Sequence, residues 1–225
     1  MLEKRPLPFN DFVSSLQTFD IVLMHGLFRS SLTVEAIEGC NWSHAAIVVI
    51  AGDLNLPGID PDTRLLWESN LHEKVKDVIL NVTKDGPQLT RLADRVSYNF
   101  SVKYDSDVAA RKLFLNRQPE MFAILKKVIE NVHHYGFPTF PDPGDGEMTD
   151  FVMGRFKNLP VGKKTFFCSQ LTAHTFKALG LITQQYVDNS YAPVDFSESL
   201  DVSLLDGWLG REIWLDTDTI PPFAV

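Results

Sequence analysis

Two short stretches far apart in the chain hold the residue types of thiol acyl-transfer chemistry. Cys168 lies in Phe166-Phe167-Cys168-Ser169-Gln170-Leu171, at the mouth of a helix with apolar residues at helical spacing. His44 lies in Trp42-Ser43-His44-Ala45-Ala46-Ile47-Val48-Val49-Ile50, at the mouth of an apolar run that reads as a buried strand. A thiol nucleophile and an imidazole base need this placement, each at the open end of a rigid element. A free cysteine is a poor nucleophile at neutral pH, because with a pKa of about 8.5 most of it is thiol. The positive end of a helix dipole and a neighbouring imidazolium both favour the thiolate. The same first turn offers backbone N–H groups to an oxyanion.

A working imidazole also needs an acceptor that fixes its tautomer. Glu68 is the first candidate. It lies within Leu65-Leu66-Trp67-Glu68-Ser69-Asn70, an apolar strand expected beside that of His44, where a carboxylate is costly unless paired. Asn70 is the weaker candidate for the same task. Taken singly, each residue has an ordinary reading: a core cysteine, a satisfied structural histidine, a carboxylate on an edge strand. Their joint placement at element ends and inside an apolar strand favours chemistry.

The remaining candidates carry less. Cys40 reads as a loop or core thiol, and His25 as a packing residue able to line the same cleft. His133 and His134 fall at a helix C-terminus, where imidazolium complements the dipole. His72 and His174 show no partner by spacing. HExxH, CxxC, GxSxG and P-loop patterns are absent, so neither a cofactor nor a metal is expected.

The elements that position these residues follow from periodicity. Strands are expected at 19–24, 44–51, 65–69, 78–82 and 212–215, with a further one within 97–108. Helices are expected around 10–16, over 30–38 and over 88–96. A clear helix opens at Pro119 with the stripe Phe122, Leu125, Val128, Ile129 and Val132, and stops at Gly136-Phe137-Pro138. Cys168 opens the next helix, with Leu171, Phe176 and Leu179 inward and Gly180 as its C-terminal cap. The Pro-, Gly- and Asp-rich segment 138–150 reads as a mobile flap over one end of the groove, with Phe140 as its apolar contact.

The chain has 225 residues, 44% hydrophobic and 22% charged, which suits a single domain over 1–225. Its net charge of −8, with no basic cluster, disfavours nucleic acid as a partner. No apolar run approaches the length of a transmembrane segment, and no signal peptide is apparent. A reduced, cytoplasmic setting is therefore expected.

At these residues the chain resembles the NlpC-like papain-fold superfamily, in its circularly permuted YiiX-like branch. Phe19-Asp20-Ile21-Val22-Leu23 resembles the "GDIVL" strand, with Phe19 in place of the glycine. Ser43-His44-Ala45-Ala46-Ile47-Val48 resembles "SHVGIV", and Trp67-Glu68-Ser69 resembles "vyEA". Phe167-Cys168-Ser169-Gln170-Leu171 is similar to "yCSEL", with Gln170 replacing the acid. His134-Tyr135-Gly136-Phe137-Pro138 is similar to the helix ending "GKPYD", of which Phe137 and Thr139-Phe140 replace the lysine and "YD". Pro193-Val194-Asp195-Phe196 is similar to "sPgDl". His precedes Cys, the reverse of papain.

The resemblance implies an α+β, circularly permuted papain-like fold: an antiparallel sheet or partial barrel with the Cys helix packed against it. It carries over Cys168 as nucleophile, His44 as base and Glu68 as orienter. The expected activity is a cysteine-dependent hydrolase, an amidase or thiol peptidase, cutting an amide bond in a peptide-like, isopeptide or acyl-amide substrate through a thioester acyl-enzyme. A thiol acyltransferase or lipid-acyl hydrolase is the alternative. It is prompted by Phe137, Phe140, Phe151, Phe166 and Phe167 around the cysteine, which also read as ordinary core. A catalytically silent lipid- or protein-binding module is the alternative of another class.

Overall fold

The computed structural model describes residues 5–26, 41–71, 74–138, 153–160 and 164–224. Six strands form one antiparallel sheet: β1 (Ile21–Gly26), β2 (His44–Ile50), β3 (Arg64–Asn70), β4 (Gly86–Arg91), β5 (Asp105–Phe114) and β6 (Trp208–Trp214). Their spatial order is β4-β3-β2-β1-β5-β6. The named helices are α1 (Phe9–Ser14), α2 (Leu92–Ser101), α3 (Pro119–Val132) and α4 (Cys168–Ala178), and a short helical turn spans 153–157. Among the described residues no helix is long and apolar enough to cross a membrane. The architecture is α+β, with the Cys helix packed on the sheet as expected.

Both faces of the sheet are covered, which explains why its central strands read as near-continuous apolar runs rather than alternating ones. Leu23, Ala45, Ile47, Leu65 and Trp67 face α3 and α4 and pack with Leu125, Ile129, Leu171 and Phe176. Val22, Met24, Ala46, Val48 and Leu66 face the other way and pack with Phe12 of α1 and with Leu92 and Val96 of α2. Phe19 enters the sheet with φ +78, a left-handed backbone that glycine adopts freely. Its ring is fully buried and stacks on Phe122 of α3, which offsets the strain.

Two expectations need correction. Residues 78–82 form a turn, not a strand. Asp77 accepts the N–H groups of Ile79, Leu80 and Leu89, and the side chains of Ile79, Leu80 and Val82 remain exposed. Residues 88–91 belong to strand β4, and the helix begins only at Leu92. The segment pairs across Leu66↔Thr90 and Trp67↔Leu89, so pairing with β3 overrides the helical spacing. The strand expected within 97–108 is the start of β5, which follows the end of α2 and runs on to Phe114. The expected helix at 30–38 and all but the first residue of the flap expected at 138–150 lie outside the described residues.

Gly86 connects the far edge of the sheet to the approach to Cys168. Its φ is +88, and an added Cβ would lie 2.5 Å from the Gly136 carbonyl carbon and the Tyr135 oxygen. Gly136 in turn bridges to Thr165, three residues before the cysteine. Gly180, which caps α4 at φ +72, has nothing within 4 Å of such a Cβ. Gly180→Ala is expected to cost the backbone term alone, about 1–2 kcal/mol. Gly86→Ala adds a clash between two backbones and is expected to cost at least about 3 kcal/mol. Urea unfolding of the two variants measures the difference, and equal costs would show that the contact can relax.

Candidate active site

β3 organises the site because its alternate residues face opposite ways. On the α4 side, Trp67 Nε1 donates to Thr175 Oγ1 at 3.1 Å, and Ser69 Oγ donates to the Phe166 carbonyl at 2.6 Å. These bonds hold the Cys helix and the segment that leads into it. Between them Glu68 points to the other face, fully buried, and its Oε2 lies 2.7 Å from His44 Nε2.

Cys168 is the first residue of α4 and is 6% exposed. Phe167 precedes it in extended conformation, and the Phe167 N–H donates to Gln170 Oε1 at 3.3 Å. The glutamine thus caps the helix from within its first turn. The remaining N–H groups of that turn have no intrahelical acceptors. The Cys168 sulfur lies 3.9 Å from the carbonyl oxygen of Ser43, the residue before His44, close enough for the thiol to act on the charge of the ring. Since Nε2 is held by Glu68, Nδ1 is the nitrogen left for the sulfur.

Electrostatics favour the charged ring. Burial alone would lower the His44 pKa. The negative charge and hydrogen bond of Cys168, followed by those of Glu68, outweigh it and push the imidazole up to about 10.

Glu68 is saturated with donors. Thr90 Oγ1 donates to Oε1 at 2.8 Å, and Arg95 Nε donates to Oε2 at 3.3 Å. Arg95 and Thr90 escaped the sequence reading. The signal for Arg95 was its place on the inward stripe Leu92, Arg95, Val96 and Asn99, where a charge must have a buried partner.

The structure thus brings Cys168, His44 and Glu68 together. Asn70 does not join them, because its side-chain oxygen accepts the Leu71 N–H. His25 is held by Ser106 and Asp107. His133 pairs with buried Asp77 at 2.9 Å, a tertiary role in place of the expected helix-end one, and His174 pairs with Asp188 at 2.7 Å. Phe166 stacks on Tyr135 in the main core. Phe167 forms a separate small cluster with Ala192 and Val194, against which Phe137 packs. Cys40, His72, Phe140 and Phe151 lie outside the described residues. Among the described residues no group of three or more His, Cys, Asp or Glu is placed to hold a metal ion.

The sequence matches no family model and no curated protein. Among solved structures the chain is similar to the metalloprotein YiiX of Escherichia coli O157:H7, with 12% identity and a TM-score of 0.45 over 86% of this chain and 88% of that one.

The raised His44 pKa fixes the sign of a stability effect. A folded-state pKa above the ordinary 6.5 contributes stability that is fully present below pH 6.5 and is lost as the pH rises through about 10. The stability difference between the wild type and His44→Gln should therefore shrink steadily across that window. Denaturant unfolding at a series of pH values reads it, and a difference independent of pH would contradict the charged imidazole.

Proposed function

We propose that this protein is a cysteine-dependent acyl-transfer enzyme that cleaves an amide bond through a thioester on Cys168. One observation carries the reading: a cysteine at a helix N-terminus lies beside the start of a strand whose first residue is an imidazole with its far nitrogen held by a buried carboxylate. A permuted papain-like arrangement is the fold reading that goes with it.

The Cys168 thiolate attacks the carbonyl carbon, and the C=O π pair moves to oxygen. The Cys168 backbone N–H, free of an intrahelical acceptor, donates to that oxyanion. The C–N bond then breaks as the His44 imidazolium gives its proton to the departing amine. Neutral His44 next takes a proton from water, which attacks the thioester. Collapse of the second tetrahedral adduct releases the carboxylic acid and restores the thiolate–imidazolium pair. Glu68 keeps the ring oriented throughout and stabilises its charge.

A second reading, a thiol acyltransferase or lipid-acyl hydrolase, draws on the apolar cluster of Phe167, Ala192, Val194 and Phe137 beside the nucleophile. The chemical step is the same and only the acyl group and its acceptor differ.

Screening the purified protein against fluorogenic acyl-amides and acyl-esters tests both readings. Turnover is expected in the wild type and in Cys40→Ala. It should fall by about 10⁴-fold or more in Cys168→Ala, with the native circular dichroism retained. An amide preference supports the hydrolase and an ester or long-chain preference supports the alternative. Equal turnover by Cys168→Ala and wild type would overturn the assignment of Cys168, and no turnover of any acyl-amide or acyl-ester by the wild type would leave a binding module.

A further inference from the structure

Behind Glu68 the polar chain continues into the layer of α2. Arg95, 2% exposed, reaches Glu68 Oε2 through Nε and Asp105 Oδ2 through Nη1 at 3.2 Å. Asn99, one turn further along α2, donates its Nδ2 to the same Asp105 oxygen at 3.0 Å. Asp105 is the first residue of β5 and is itself buried. We propose that Arg95 is a positioning residue of this site: anchored on Asp105, its guanidinium fixes the Glu68 carboxylate in the orientation that holds His44 against Cys168. The inference rests on the acyl-transfer reading and adds one residue to its working chain.

Two arguments support it. The first is geometric. Glu68 Oε2 receives both His44 Nε2 and Arg95 Nε, and Oε1 receives Thr90 Oγ1. The carboxylate cannot turn without breaking bonds to three elements, β2, β4 and α2, and Arg95 ties the last of these to β5. A planar guanidinium fork holds its two acceptors at fixed angles, which the freely rotating donors of a lysine ammonium do not.

The second is electrostatic. Glu68 and Asp105 are two carboxylates out of water, and Arg95 lies between them. Without Arg95 both carboxylates lose a donor and a compensating positive charge, and Glu68 is left free to turn toward a new partner. A buried ion pair is often no more stabilising than apolar packing of the same volume. The retained charge is better explained by the group it orients.

The test measures iodoacetamide alkylation of Cys168 at pH 7 in the full chain carrying Cys40→Ala. Arg95→Met and Arg95→Lys are each made alone and together with Glu68→Gln. Arg95→Lys keeps the buried charge and carries the test if Arg95→Met loses its native circular dichroism. Each single Arg95 substitution is expected to slow alkylation by about 10-fold, the scale found when outer hydrogen-bond partners of working groups are removed. In the Glu68→Gln background the same substitution should change the rate by less than about twofold, since its route to His44 is already broken. An equal effect in both backgrounds would overturn the proposal, because a merely structural residue acts independently of Glu68. His44→Gln separates the two layers of the account. If it leaves the rate unchanged, the acyl-transfer reading fails. If it slows alkylation while the Arg95 variants do not, the positioning role alone fails.

Discussion

A carboxylate placed wholly out of water is the constraint around which this structure is arranged. Left alone, Glu68 would be neutralised or expelled. It is held instead by an imidazole, a hydroxyl and a guanidinium drawn from β2, β4 and α2. Satisfying it fixes the position of His44 at the start of β2. It also brings α2 close against the back of the sheet, since the anchoring Arg95 comes from that helix. The same carboxylate supports the charge on His44, and the charged ring accounts for the stability window below pH 10. Fold and candidate chemistry thus depend on one buried group.

The pleat of β3 turns this local arrangement into a site. Trp67 and Ser69 bind the Cys helix and its approach, and Glu68 between them serves the opposite face. A slip of one residue would exchange these faces and separate the thiol from the ring. The sheet resists such a slip because both faces are packed, with α3 and α4 on one side and α1 and α2 on the other. Cys168 and His44 come together where the start of β2 lies beside the first turn of α4.

Much of this was legible in the sequence. The apolar run after His44, the helical spacing after Cys168 and the polar Glu68 inside an apolar strand each carry a strong local signal. The structure places all three residues where those signals suggested. What was not legible depended on tertiary pairing. Thr90 and Arg95 were hidden because residues 88–91 have helical spacing in isolation, yet pair with β3 as a strand. Once the helix starts at Leu92, Arg95 and Asn99 fall on its inward stripe and need a buried partner, which is Asp105. The apolar residues at 78–82 misled in the opposite sense. Asp77 draws their backbone into a turn and leaves their side chains in water, a choice no hydropathy pattern contains.

The central claim is that an acyl group passes through Cys168. Intact-mass and peptide mass spectrometry of the Cys40→Ala protein, quenched in acid during turnover of an activated acyl-amide, tests it most directly. The account predicts a mass gain equal to the acyl group, mapped to the peptide containing Cys168 and removed by hydroxylamine as a thioester is. Turnover of the same substrate with Cys168 unmodified, or with the acyl group on another residue, would contradict it.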